Sequence, residues 1–269
     1  VVIVLRGAMD GLDVVQPYGD GRLASYRPKM ATGPAAGAAD LDGFYALHGG
    51  LSGLMPLWAA GELGFAHAVS TPYRDKRSHF DGQDMLEAGT GADLAPAAQR
   101  DGWLNRLLSV LPGAGSETAW AVGREAMPIL AGAAQAENWA PDQDLAVSGP
   151  VRVLLEHVYA ADPLFHSAST TAFGLAGMEE GEGQDTDLIA DFVAERLCGP
   201  ARIAAFSLTG WDTHKAQGRA ILKPLDRLQR AVLRLKDGTG PQVWGKTVVL
   251  AMTEFGRTVR QNGSGGTDH

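Results

Sequence analysis

Residues 201–214, ARIAAFSLTGWDTH, decide the fold of this chain. Residues 201–208 are mostly apolar, which is typical of a strand buried on both faces of a parallel sheet, and a polar loop follows them directly. Three further runs, at residues 1–5, 63–69 and 247–252, have the same character. The four runs predict an α/β fold with a mostly parallel central sheet flanked by helices.

Helical patterns separate the predicted strands, and they lie at residues 51–60, 78–87, 103–111, 185–197 and 224–235. In the last of them, leucine and valine recur at three- and four-residue steps, which gives that helix one apolar face for the sheet. Residues 89–200 contain helical segments and little strand character. We therefore expect a mostly helical insertion or cap between the second and third core strands. We expect a single domain over residues 1–269, truncated at its C-terminus.

The composition limits the kinds of protein that this chain can be. Its 269 residues are 45% hydrophobic and 20% charged, within the range of globular proteins. No run approaches the roughly 18 apolar residues that a membrane-spanning helix needs, so we expect no membrane insertion. The net charge is -8 and the basic residues are scattered, so we expect no nucleic-acid partner. Cys198 is the single cysteine, and its apolar neighbours predict a buried thiol.

Acidic and histidine side chains follow the predicted strands. In open parallel sheets, ligands bind beyond the carboxyl ends of the strands. Carboxylates and neutral imidazoles bind divalent metal ions, and carboxylates at one rim repel each other unless a cation neutralises them. Taken singly, each acid has a structural explanation, because it can form a turn or cap a helix. As a group they predict a site for one or two ions of zinc, manganese, magnesium or calcium, with the ligands Asp10, Asp212, His214, Glu254, Asp268 and His269.

Ser78 has two interpretations. It stands where a helix begins, and the dipole at a helix N-terminus favours a bound oxyanion, so its hydroxyl is a candidate nucleophile. The sequence from Ser78 to Asp81 also fits the S-x-x-acid pattern of a capping box, which needs no chemistry to explain it. A metal-bound hydroxyl would satisfy both interpretations, so both stay open at this point.

The candidates for binding a tetrahedral anion are the arginines in the predicted loops, Arg6, Arg74, Arg77 and Arg257, of which we select Arg257 and Arg6. A guanidinium group offers a planar fork of donors that matches such an anion. Arg257 is the stronger candidate, since it directly follows a strand between a glycine and a threonine, and Arg6 follows the first strand. The plain alternative for each is a solvated surface charge. We interpret His48 and His67 as structural residues.

Five stretches carry a resemblance to a known family, and they are VVIVLRGAMDGLD at 1–13, STPYRDKRSHFDGQDMLEAG at 70–89, DGWLNRLL at 101–108, GWDTH at 210–214 and VVLAMTEFGRTVRQNGSGGTDH at 248–269. The chain resembles, over nearly its whole length, a domain-of-unknown-function family of bacterial exported proteins within the alkaline-phosphatase-like superfamily. The resemblance implies two metal sites, the first with Asp10, Ser78, Asp268 and His269 and the second with Asp212 and His214. Glu254 directly follows a strand, where phosphatases carry an Asp-His pair, and is an alternative ligand.

The resemblance also implies an activity and a location. The activity is metal-dependent hydrolysis of a small phosphate or sulfate ester, with Ser78 as the nucleophile and Arg257 and Arg6 stabilising the anion. The alternative is a non-catalytic exported protein that uses the fold to bind a metal, a glycan or a protein partner. Related proteins carry a twin-arginine export signal, so we expect a periplasmic setting.

Overall fold

The structure is a computed structural model, and it describes residues 1–30, 32–74, 76–91, 101–141, 158 and 185–269. Its strands are β1 (Val2–Leu5), β2 (Val15–Gln16), β3 (Ala39–Asp40), β4 (Ala46–Leu47), β5 (Ala119–Val122), β6 (Glu137–Trp139), β7 (Ile203–Leu208) and β8 (Leu250–Met252). Five of them form a parallel sheet in the order β6-β5-β7-β1-β8. A small antiparallel sheet has the order β2-β4-β3.

The helices of the described residues are α1 (Gly11–Val14), α2 (Arg22–Tyr26), α3 (Met55–Ala59), α4 (His79–Ala88), α5 (Trp103–Val110), α6 (Asp185–Cys198), α7 (Gln217–Ala220) and α8 (Leu222–Trp244). Short 3-10 turns lie at Pro34–Ala36, Gly49–Leu54, Ser116–Thr118 and Pro128–Leu130. Within the part of the chain that the structure describes, no helix combines the length and apolarity needed to cross a membrane.

The central strands are buried on both faces of the sheet. Ile3 pairs in register with Phe206, and both side chains join the core cluster that contains α6 and α8. Val2 and Val4 point to the opposite face, where Leu104 of α5 covers them. Fully burying a side chain such as Phe206 contributes about 1.5–3 kcal/mol. The apolar runs are therefore continuous because both faces of these strands are covered.

Three of the four predicted strands are confirmed as β1, β7 and β8. The prediction of a strand at 63–69 is wrong, because this segment is irregular and Phe65 and Val69 are exposed. Ala68 has a φ of 55°, in the left-handed region, and that conformation interrupts an extended strand. Cys198 is also exposed rather than buried, because it ends α6 beyond the buried side chains of that helix.

The stretch from 89 to 200 contributes to the main sheet. It holds α5, as expected, and also β5 and β6, which continue the parallel sheet from β7. β5 is four buried residues long, and so short a run is hard to separate from helix by its pattern alone. Most of the remaining stretch, 92–100 and 142–184 except for 158, lies outside the described residues, and so does most of the expected insertion.

Candidate metal centre

The loops at the carboxyl ends of three neighbouring strands meet at one rim of the sheet. β1 lies between β7 and β8, and all three run in the same direction, so the loops that follow them are adjacent. The last residues of the chain join this rim through a bridge between Lys215 and Gly265 and a hydrogen bond from Thr267 N to Thr213 O. The topology thus gathers polar residues that are far apart in the sequence.

His79, Asp212 and His269 form the centre of this rim. One ligand atom from each lies within 4.8 Å of the other two. His269 Nε2 is 3.2 Å from Asp212 Oδ1, and His79 Nε2 is 3.6 Å from Asp212 Oδ2. The second distance is too long for a hydrogen bond. His79 Nε2 is buried and has no hydrogen-bond partner among the described residues, so it is a buried donor or acceptor atom directed at the cluster.

His214 adds a fourth candidate ligand. Its Nε2 is 2.9 Å from Asp212 Oδ1 and 3.0 Å from His269 Nε2. Two ligands that each lie about 2.1 Å from one zinc ion in tetrahedral geometry are separated by roughly 3.4 Å. The spacings between these nitrogen and oxygen atoms are therefore close to those of ligands that share one cation.

Glu254 contacts His79 on the side of the ring that faces away from Asp212. Its Oε1 is 2.8 Å from His79 Nδ1, and the same oxygen accepts hydrogen bonds from Gly7 N at 2.9 Å and Gln83 Nε2 at 3.1 Å. Burial raises the pKa of Glu254, but hydrogen bonds from its own backbone N–H, from Gly7 N and from the side chains of Gln83 and Thr253 outweigh burial and leave the pKa below its ordinary value. Glu254 is therefore an ionised carboxylate that accepts from His79.

Asp268 holds His214 in a similar way. Its Oδ1 is 3.2 Å from His214 Nδ1 and accepts a hydrogen bond from Asn262 Nδ2 at 2.8 Å. The hydrogen bond from Asn262, followed by that from His214, lowers the pKa of Asp268. Asp268 thus contacts the Nδ1 side of a histidine whose Nε2 faces the cluster.

Arg257 fixes Asp212. Its Nη1 donates to Asp212 Oδ1 at 3.0 Å, while Nε and Nη2 donate to the hydroxyl and carbonyl oxygens of Thr267. The guanidinium side chain is completely buried. Burial raises the pKa of Asp212, but hydrogen bonds from His269 and Arg257 outweigh this effect, so the pKa is lowered. In this arrangement Arg257 orients a candidate ligand, and its donors are not directed at an incoming anion.

Asp10 lies in a buried ion pair. Arg27 donates to Asp10 Oδ2 at 2.7 Å and to Oδ1 at 3.0 Å, and both side chains are 1% exposed. Asp10 Oδ2 also accepts from Gln217 Nε2 at 2.6 Å, and Oδ1 accepts from Leu12 N at 3.2 Å and so caps α1. The structure does not bring Asp10 into the group of His79, Asp212 and His269. Its carboxylate neutralises a buried guanidinium instead.

Ser78 is the N-cap of α4. Its Oγ accepts a hydrogen bond from Asp81 N at 3.3 Å, which is the first half of the capping box. The second half differs, because Ser78 N donates to the hydroxyl of Tyr73 at 2.8 Å. The geometry therefore favours the capping interpretation of Ser78.

Arg6 is also engaged in structural contacts. It donates to Gln83 Oε1 at 2.7 Å and to Ala126 O at 3.0 Å, and it forms an ion pair with Glu87 at 2.9 Å. Glu87 is almost completely buried, so Arg6 pairs with a carboxyl group on the buried side of α4. Arg6 and Arg257, the two selected anion-binding arginines, are thus both paired with carboxyl groups of the protein.

His79 is not among the ligands predicted from the sequence. In the sequence it is only the second residue of a capping pattern, although a histidine in the first turn of a helix at a strand-end rim is a usable signal. Phe255 packs against it, with ring centroids 5.1 Å from His79 and 5.3 Å from His269. This aromatic contact and the hydrogen bond to Glu254 fix the imidazole of His79 from two sides.

Comparison with known proteins finds a match to part of the chain. Residues 166–269 match the model of a family described as "Protein of unknown function (DUF1501)". This segment includes Asp212, His214, Glu254, Asp268 and His269, whereas His79 lies before it. No curated protein and no solved structure has a significant match to the chain.

Proposed function

We propose that this chain binds a divalent metal ion through His79, Asp212 and His269 and uses it to hydrolyse a phosphate or sulfate ester. The observation that carries the proposal is the approach of three ligand atoms to within 4.8 Å of one another, with His79 Nε2 buried and without a hydrogen-bond partner among the described residues. His214 Nε2 supports it as a fourth ligand atom. An alkaline-phosphatase-like fold and export through a twin-arginine signal belong to the same proposal, and they rest on the sequence resemblance.

The ligand set favours zinc or manganese. Imidazole nitrogen combined with carboxylate oxygen suits these ions, whereas magnesium and calcium prefer ligands that are all oxygen. When bound, such an ion lowers the pKa of a coordinated water and neutralises charge on an ester oxygen. The protein contributes the geometry, because Arg257 fixes Asp212 and Glu254 fixes His79.

Ser78 has a limited role in this proposal. Its hydroxyl accepts from Asp81 N, so it would have to leave the cap of α4 in order to attack an ester. We therefore propose that water is the attacking group and that Ser78 serves only as the N-cap of α4, the helix that begins with His79. The earlier hypothesis of a serine nucleophile makes the opposite prediction for a Ser78→Ala variant.

A second candidate function is metal binding without catalysis. The observation that favours it is that the predicted anion-binding groups are occupied, since Arg6 pairs with Glu87 and Arg257 with Asp212. Neither arginine can therefore bind an anionic substrate beside the metal without giving up its carboxylate partner. A metal, glycan or protein-binding role of an exported protein fits this arrangement.

Metal analysis together with a substrate panel separates these functions. The purified full-length protein is analysed for bound metal and assayed with phosphate and sulfate esters, beside His79→Ala, Ser78→Ala and the control His67→Ala, which lies outside the cluster. We expect His79→Ala to lose metal and turnover, and the other two variants to keep both. Bound metal without turnover of any ester would support the second candidate. A wild-type protein that takes up no divalent metal would contradict both.

A further inference from the structure

Two carboxylates occupy equivalent places behind two histidines of the cluster. Glu254 Oε1 is 2.8 Å from His79 Nδ1, and Asp268 Oδ1 is 3.2 Å from His214 Nδ1. In each case the other ring nitrogen, Nε2, faces Asp212. An ionised carboxylate only accepts hydrogen bonds, so His79 Nδ1 must carry the hydrogen, because its Nε2 has no hydrogen-bond partner among the described residues. His214 lies between two carboxylates, and its Nδ1 carries the hydrogen when a metal ion takes the place at Nε2.

The donors around Glu254 strengthen this assignment. Its Oε1 already accepts from Gly7 N and Gln83 Nε2, and its Oε2 accepts from the Thr253 hydroxyl. Every one of these neighbours is a donor, and the side chain is only 1% exposed. The carboxylate is therefore held in one orientation by three groups besides His79, and it cannot turn away to become a metal ligand without breaking them.

We propose that Glu254 and Asp268 are positioning residues, which hold the Nδ1–H of His79 and His214 so that each Nε2 presents its lone pair to a metal ion beside Asp212. This inference rests on the proposed metal site, and it reassigns both acids from ligands to the second layer around that site. A carboxylate behind a metal-binding histidine fixes the tautomer and the ring orientation and makes the imidazole a stronger ligand. Loss of such a carboxylate lowers metal affinity by roughly 10–100-fold.

Glu254→Gln is the direct test, because the amide keeps an acceptor oxygen for His79, Gly7 and Gln83 while it removes the charge. The Gln nitrogen can donate to the Thr253 hydroxyl oxygen, and the hydroxyl can then donate its own hydrogen to Leu5 O. Glu87→Gln is the matched control, since Glu87 is an equally buried acid of α4 that pairs with Arg6 and not with a histidine. Asp268→Asn is a second test at a half-exposed side chain, where the substitution does not threaten folding.

Zinc affinity is measured by titration of the metal-free full-length protein. We expect a loss of about 10-fold or more in Glu254→Gln and Asp268→Asn, and no change in Glu87→Gln. Unchanged affinity in the two test variants, or an equal loss in the control, would overturn the inference. Melting temperatures of all variants show whether a loss of affinity reflects a loss of folded protein.

The tautomer of His79 gives an independent readout. Long-range proton–nitrogen correlation spectra of the metal-free wild-type protein show which ring nitrogen carries the hydrogen. We expect Nδ1–H for both His79 and His214, and hydrogen on Nε2 alone would overturn the positioning role whether or not metal binds. If the wild-type protein has Nδ1–H on both histidines but takes up no zinc, the proposed function is overturned. His79 and His214 would then have no metal ion for which to be positioned.

Discussion

The buried ion pair between Arg27 and Asp10 makes the sharpest prediction for stability. We consider Arg27→Met, which keeps an unbranched chain of similar length and removes the guanidinium. Asp10 would then be left with Gln217, a backbone N–H and the Thr267 hydroxyl at 3.4 Å as donors, at a position that is 1% exposed. Arg27 also donates to Thr258 O and Val259 O, so the substitution frees the segment that leads to Asp268 and His269.

The expected cost follows from the burial of both partners. Removing one partner of a buried pair leaves an uncompensated charge and costs about 3–5 kcal/mol. For a chain of this size, each kcal/mol lowers the melting temperature by about 2–4 °C, so we expect a decrease of about 6–20 °C. Asp10→Asn in the same background should recover part of the loss, because it removes the unpaired charge.

Urea and thermal unfolding, followed by circular dichroism, measure these changes. Arg22→Met is the matched control, because Arg22 pairs with Asp20 at the surface, where an ion pair has little effect on stability. A loss in Arg27→Met no larger than in Arg22→Met would refute the reasoning. So would a double variant with Asp10→Asn that is less stable than Arg27→Met alone.

Three further predictions concern the site and its surroundings. Gly7→Ala would place a Cβ 2.6 Å from Asp212 N at a φ of +120°, so it should lower both melting temperature and zinc affinity, whereas Gly11→Ala, with open space around the new methyl group, should leave zinc affinity unchanged. Ser78→Ala removes the cap of α4 and should cost about 1 kcal/mol in urea unfolding while ester turnover persists; abolished turnover in folded protein would restore the serine nucleophile. Burial raises the pKa of Asp13 above its ordinary 3.8, so its contribution to stability is complete below that value and declines as the pH rises through the folded-state pKa. In the wild-type protein the free energy of unfolding should therefore fall as the pH rises above 3.8, and Asp13→Asn should make this fall smaller. The same dependence of unfolding free energy on pH in both proteins would contradict this prediction.

The strands of the central sheet were predictable from the sequence where burial of both strand faces explains a continuous apolar run. Residues 203–208 are apolar because both faces of β7 are covered, and the polar residues after them lie at the rim because parallel strands end together. By this reasoning Asp212 and His214 were expected at the rim, and both lie there. His269 follows a glycine-rich loop and not a strand, and it was predicted as part of the Asp268-His269 pair. The reasoning from apolar runs failed at 63–69, where the backbone conformation of Ala68 interrupts an apolar run.

The roles of individual site residues were less predictable. His79 comes from the start of a helix and not from a strand end, so the strand-end rule did not select it. Asp10 obeys the rule, but its carboxylate pairs with Arg27, 17 positions further along the chain, and nothing in the sequence between them indicates that contact. Glu254 also follows its strand as a ligand would, and our proposal that it orients His79 rests on its hydrogen-bond donors, which the sequence pattern does not show. Residue type and spacing thus locate the rim, whereas hydrogen-bond partners decide what each side chain does there.

Anomalous diffraction from a zinc-loaded crystal of the full-length protein tests the central proposal most directly. We expect a peak about 2.0–2.2 Å from His79 Nε2, His269 Nε2 and an oxygen of Asp212. A peak on Asp10 and Ser78, or no peak at the rim in a crystal grown with zinc, would contradict the account.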